Sequence, residues 1–103
     1  MVVAPLPFSP DHVALSLVAH GMGVTKAARF AGRHPSTIWR WLREARRRSG
    51  RAMDRRSMAR FELGERGLGV LAPSEVVDAI MTARGYKAAS PGLAELEELE
   101  EED

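Results

Sequence analysis

Between residues 24 and 43 the chain reads VTKAARFAGRHPSTIWRWLR, and the spacing inside this segment allows few backbone arrangements. Ala27, Ala28 and Ala31 give a short helix only methyl groups on one side. Gly32 follows, the residue type that takes a left-handed backbone without steric cost. His34-Pro35 then opens a second helix, with His34 near the cap, because proline suits a first turn where its missing N–H is not needed. Ile38, Trp41 and Leu42 recur at the three-to-four-residue spacing of one helical face. Two short helices meeting closely through a glycine turn, the second turning an apolar side back to the first, satisfy all of these demands.

The rest of the chain predicts further helices. Ser9-Pro10-Asp11 is a helix start, with Ser9 as N-cap, Pro10 at the first position and Asp11 at the positive end of the dipole. This first helix is expected to reach His20, with Ala14, Leu17 and Val18 on one stripe and Gly21 as its stop. Thr25 is expected to cap the second helix, residues 26–31. Ser49-Gly50 either ends the third helix or lies inside a longer continuous one. A fourth is expected over 52–63, with Met53, Met58, Ala59 and Phe61 as apolar positions. Gly64, Gly67 and Gly69 predict a loop, and Val70-Leu71 an extended piece, which leaves room for a small β-wing near 67–72. Pro73-Ser74-Glu75 opens a fifth helix to Arg84, with Gly85 as its stop. Its Val76, Val77, Ile80 and Met81 face inward, toward the core or a subunit interface. Residues 1–8 form a proline-broken apolar arm, and Ser90-Pro91-Gly92 a hinge. The last residues set Leu93, Leu96 and Leu99 among acids, a pattern for a frayed amphipathic helix or a disordered tail.

The net charge of +1 conceals a strong asymmetry. Residues 24–60 carry twelve Lys or Arg against Glu44 and Asp54, a local balance of +10. Residues 61–103 carry Arg66, Arg84 and Lys87 against eleven acids, a balance of −8. An anion-binding half followed by an acidic end is the reading this split supports. Arg43, Arg46, Arg47, Arg48, Arg51, Arg55, Arg56 and Arg60 would then mainly neutralise phosphates, which gives affinity and salt dependence but little sequence choice.

The stretch AARFAGRHPSTIWRWL resembles the helix-turn-helix of bacterial and phage regulators, including repressors of the lac type. It is also similar to the N-terminal domains of transposases and of phage DNA-packaging or excision proteins. The resemblance supplies the tri-helical core (9–48) of an all-α fold, to which the residues themselves add an arm (1–8), a helical extension serving core or oligomerisation (49–90) and an acidic tail (91–103). It also implies that the start of the second motif helix enters the major groove. The groove-facing positions carried over are His34, Pro35, Ser36, Trp39, Arg40 and Arg43. Of these, Ser36, Trp39, Arg40 and Arg43 are the expected base-reading residues, Arg40 first, because its fork matches guanine O6 and N7. Thr25, Lys26, Arg33, His34 and Thr37 are expected on phosphates, together with Arg46, Arg47, Arg48, Arg51 and Arg55. Arg33 departs from the family, which has an apolar residue such as valine there. Either the turn is more open or Arg33 points outward to a phosphate. Trp39 and Trp41 cannot share one helical face. Trp41 is expected in the core, and Trp39 against the DNA backbone, the fourth helix or a partner.

Other functions find little support in the residues. There is no cysteine, hence no disulfide framework or thiolate metal site. His12, His20 and His34 are scattered, and no nucleophile–base pair stands out, so neither a metal, a cofactor nor an enzyme is expected. The glycines at 64, 67 and 69 precede no lysine, unlike a nucleotide-binding loop. Pro5, Pro7 and Pro10 argue against a secretion signal, and the longest apolar run is too short for a membrane span. The expectation is a soluble, cytoplasmic, nucleoid-associated protein. Its expected function is sequence-specific double-stranded DNA binding as a small transcriptional regulator, acting as a homodimer or cooperative oligomer. Two rivals remain: a recombination or packaging accessory factor (excisionase or small terminase), and a protein-interaction module acting through its acidic C-terminus. That tail either solubilises, binds a protein partner, or folds back on the arginines in competition with DNA.

Overall fold

A computed structural model describes residues 8–83, which form five helices and, within that range, no strand. These are α1 (Pro10–Ala19), α2 (Val24–Ala31), α3 (Pro35–Ser49), α4 (Arg55–Glu65) and α5 (Pro73–Ala83). Residues 1–7 of the arm, the stop at Gly85, the hinge and the acidic tail lie outside the described residues. None of the described helices is long and apolar enough to cross a membrane.

The expected start of α1 forms: Ser9 accepts the His12 N–H at 3.2 Å, and Pro10 opens the helix. Its burial exceeds the single stripe expected. Val13 to Ala19 are buried without interruption, since α2, α4 and α5 all pack on this helix. A helix that is apolar all round must be enclosed, and α1 is the axis of the core. α4 runs antiparallel along it. Arg66 reaches Asp11 at one end, Arg60 the Ala19 carbonyl further along, and Arg56 lies beside Gly21 at the other end. The same core cluster holds residues of all five helices, so it continues beyond residue 48.

Thr25 does not cap α2. The helix begins one residue earlier, with Gly23 as N-cap and no side-chain cap, because Val24 is already drawn into the core. Gly32 closes it at φ +73°, and the Arg33 N–H bonds back to the Ala28 carbonyl at 2.8 Å. Gly50, at φ +68°, ends α3 and settles the alternative left open there. α4 starts later than expected, at the Asp54 cap, and continues through Gly64. Its inner face is Met58, Ala59, Glu62 and Leu63, a spacing that leaves Phe61 half-buried at the side. Gly67, at φ +72°, makes the turn instead, with the Leu68 N–H bonded to the Leu63 carbonyl at 2.8 Å.

The β-wing is absent from the described residues because segment 69–71 directs its polar backbone to α1 instead. The Leu71 N–H donates to Ser16 Oγ at 3.0 Å, and the Nε2 atoms of His12 and His20 each lie 2.6 Å from the carbonyls of Gly69 and Leu71. His12, Ser16 and His20 are four residues apart, hence on one side of α1. This strap delivers α5, whose Val76, Val77 and Ile80 enter the same core, with Met81 partly buried against it.

Candidate nucleic-acid interface

α3 is seated by Ile38, Leu42 and Ala45, all fully buried. Its far side therefore faces water. Ser36, Arg40, Arg43 and Arg47 follow at steps of four, three and four, one exposed row about 16 Å long at ~1.5 Å per residue. Trp39, Arg43 and Arg46 form the adjoining row at the same spacing, and all three are exposed. Trp41 lies on the opposite flank, half-buried against the core, with the Arg66 guanidinium 4.4 Å above its ring.

The start of α3 is held by His34. Its Nδ1 accepts the Ser36 N–H at 3.1 Å and lies 2.7 Å from the Ser36 hydroxyl. An accepting Nδ1 carries no proton, so a neutral ring keeps its proton on Nε2 as a donor. Thr37 is half-buried, and its N–H bonds to the His34 carbonyl at 3.0 Å. Thr25, Arg29, Arg33, His34 and Pro35 line one shallow depression of about 430 Å³ where α2 meets α3. Thr25 is exposed and Lys26 half-exposed on the first turn of α2.

The arginines separate into two groups. Arg33 is bound to Asp11 by Nε and Nη2, both at 2.8 Å, so this turn residue is tied back to α1. Arg47 bridges to Glu44 at 2.8 Å on the helix surface, and its guanidinium holds that carboxyl below the ordinary range. Arg48 binds Glu62 and Glu65 of α4, which raises its already high pKa, Glu62 contributing most. By contrast, Arg40, Arg43, Arg46, Arg51 and Arg55 are exposed, and no side-chain hydrogen bond or ion pair joins them to a described residue. Arg55 and Arg56 line a smaller hollow with Gly21 and Met22, where the Ser57 N–H bonds to Asp54 at 2.8 Å and keeps that carboxylate's pKa low.

Sequence reasoning missed Arg29 in the depression at the turn, and it missed a chain of alternating charges. Arg33, Asp11, Arg66, Glu62, Arg48 and Glu65 bind one another in that order. The chain runs from the α2–α3 turn, past Trp41, to the C-terminal end of α3. Its links join residues 14 to 55 positions apart, apart from Arg66–Glu62, which the i,i+4 spacing on α4 could have suggested. No protein-family profile, characterised protein or solved structure matches this chain.

Proposed function

We propose that the protein binds double-stranded DNA sequence-specifically, with α2 and α3 as a helix-turn-helix and α3 in the major groove, and that it acts as a small transcriptional regulator. The observation that carries this reading is the pair Arg40 and Arg43. They stand exposed on the solvent side of a firmly seated helix, without a carboxylate partner among the described residues, while arginines beside them are paired. An unpaired guanidinium keeps all its donors for a ligand, and guanine offers O6 and N7 at the spacing of its fork. Ser36, one turn before Arg40, stands within reach of a neighbouring base edge or phosphate. Arg46, Arg51 and Arg55 supply phosphate neutralisation, and the uncapped first turn of α2, with Thr25, offers N–H groups to a phosphate. Arg33, Arg47 and Arg48 serve the fold first, since DNA would have to displace their carboxylates.

One recognition helix gives a modest interface, so a dimer or cooperative assembly on DNA belongs to this reading. The test is selection from random duplexes over a salt series, with Arg40→Ala beside the wild type. Enrichment of a motif, a steep fall of affinity with salt, and loss of about 1–3 kcal/mol of discrimination at one base position in Arg40→Ala are expected. A palindrome would mark a dimeric regulator and a tandem array an accessory factor. No enrichment together with a silent Arg40→Ala would remove the proposal.

A further inference from the structure

Trp39 is 38% exposed, one of two large apolar side chains left at the surface among the described residues. The other, Val70, lies on the strap between α4 and α5. Trp39 has no ring contact, cation–π contact or indole hydrogen bond to any described residue, whereas Trp41, two positions on, is covered by Arg66. It immediately precedes Arg40 and shares a row with Arg43 and Arg46.

Whatever covers Trp39 must also meet those guanidinium groups. An apolar protein surface would strip water from unpaired cations without replacing it, which is unfavourable. A duplex supplies phosphates and guanine acceptors for the cations. On its major-groove base edges it carries one apolar group, the C5-methyl of thymine. Resting on the DNA-binding reading above, we propose that Trp39 is a specificity-determining residue that packs on the C5-methyl of a thymine next to the base met by Arg40. Its target is then a site with thymine adjoining guanine, and the indole N–H remains directed to a phosphate or a base edge.

The experiment takes the duplex selected by the wild type and replaces each thymine singly by deoxyuridine, which removes the methyl and nothing else. At one position the wild type should lose about fourfold in affinity, the worth of one buried methyl group. Trp39→Ala should bind more weakly and no longer distinguish thymine from uracil there, while Trp39→Phe keeps the distinction. Circular dichroism and binding to an unrelated duplex check that the variants are folded. If a motif is selected but no uridine substitution matters, or Trp39→Ala still responds to one, the Trp39 assignment falls and the DNA reading stands. If no motif is selected, both fall. A change in oligomeric state of Trp39→Ala with an unaltered thymine response would make this a self-association surface and overturn the assignment.

Discussion

Glu62→Gln tests the charge chain at its most enclosed link. Glu62 is 6% exposed on the inner face of α4. Its Oε1 accepts from Arg48 and its Oε2 from Arg66 Nε at 2.7 Å. Arg66 continues to Asp11 at 3.2 Å, and Asp11 holds Arg33 at the turn. Glutamine keeps the shape but removes the charge and one acceptor: its carbonyl oxygen still accepts from one arginine, while its NH2 faces the N–H groups of the other. A hydrogen bond to a charged group is worth about 1.5–3 kcal/mol net and a neutral one about 0.5–1.5, so one weakened bond and one lost bond amount to roughly 2.5–4.5 kcal/mol. Two effects reduce this. A neutral amide is easier to bury than a carboxylate, and both arginines keep water and second carboxylates within reach. The expected loss is about 2–3 kcal/mol, or a fall in Tm of about 8–24 °C for a domain of this size. Glu65→Gln is the internal control: it binds the same Arg48 at 3.2 Å but is 46% exposed, so little change is expected. Thermal and urea unfolding followed by circular dichroism would measure both variants. Should Glu62→Gln lie within about 0.5 kcal/mol of wild type, or match Glu65→Gln, the chain is an ordinary surface ion-pair set and the argument from burial is wrong.

Further expectations concern the caps and glycines. The Ser57 N–H lowers the Asp54 pKa in the folded state, so its stabilisation is complete above the ordinary carboxylate pKa of about 4 and is lost as pH falls through the depressed value. Melting curves across the acid range should therefore show wild type above Asp54→Asn at neutral pH and the two converging in strong acid; a gap that persists there would contradict the cap. Gly50→Ala forces a side chain into φ +68° and should cost about 1–2 kcal/mol in urea unfolding. Gly64→Ala, inside α4 with open space around it, should instead gain about 0.5–1 kcal/mol, and a loss there would mean that α4 ends earlier.

What could be read from the sequence was local. Ser9-Pro10-Asp11, Gly32, His34-Pro35 and Pro73 carry their geometry in their own backbone chemistry, and each begins or ends a helix as expected. Thr25 failed as a cap because capping preference is weak beside the burial of Val24 one residue earlier. Gly64 failed as a loop signal for a similar reason: Leu63 is fully buried and Gly67 was available to make the turn. The strap could have been suspected from His12, Ser16 and His20 on one side of α1. What they hold, the backbone of 69–71, lies more than fifty positions away. The position of α1 as core axis was also within reach. The run from Val13 to Ala19 contains no charged residue, and such a helix has no side to give to water.

The charge count was the least transferable part of the reading. A balance of +10 over residues 24–60 treats every arginine alike, yet the field outside a protein depends on which charges are already answered inside it. Asp11 and the acids of α4 lie outside that segment in sequence and beside it in space, and they bind Arg33 and Arg48. Glu44 does the same for Arg47 from within. Arg40, Arg43 and Arg46 on the outer side of α3, Arg51 on the connection that follows it and Arg55 at the start of α4 keep no carboxylate partner among the described residues, so the ion pairs leave only part of the segment's charge free for a ligand. In the proposed complex this has a measurable consequence. Removing Arg46, Arg51 or Arg55 should each lower the salt slope of DNA binding by about one, whereas Arg33→Ala or Arg48→Ala should lower stability and leave that slope nearly unchanged. Equal slopes lost in both groups would show that DNA displaces the carboxylates, and that the sequence count describes the interface better than the ion pairs do.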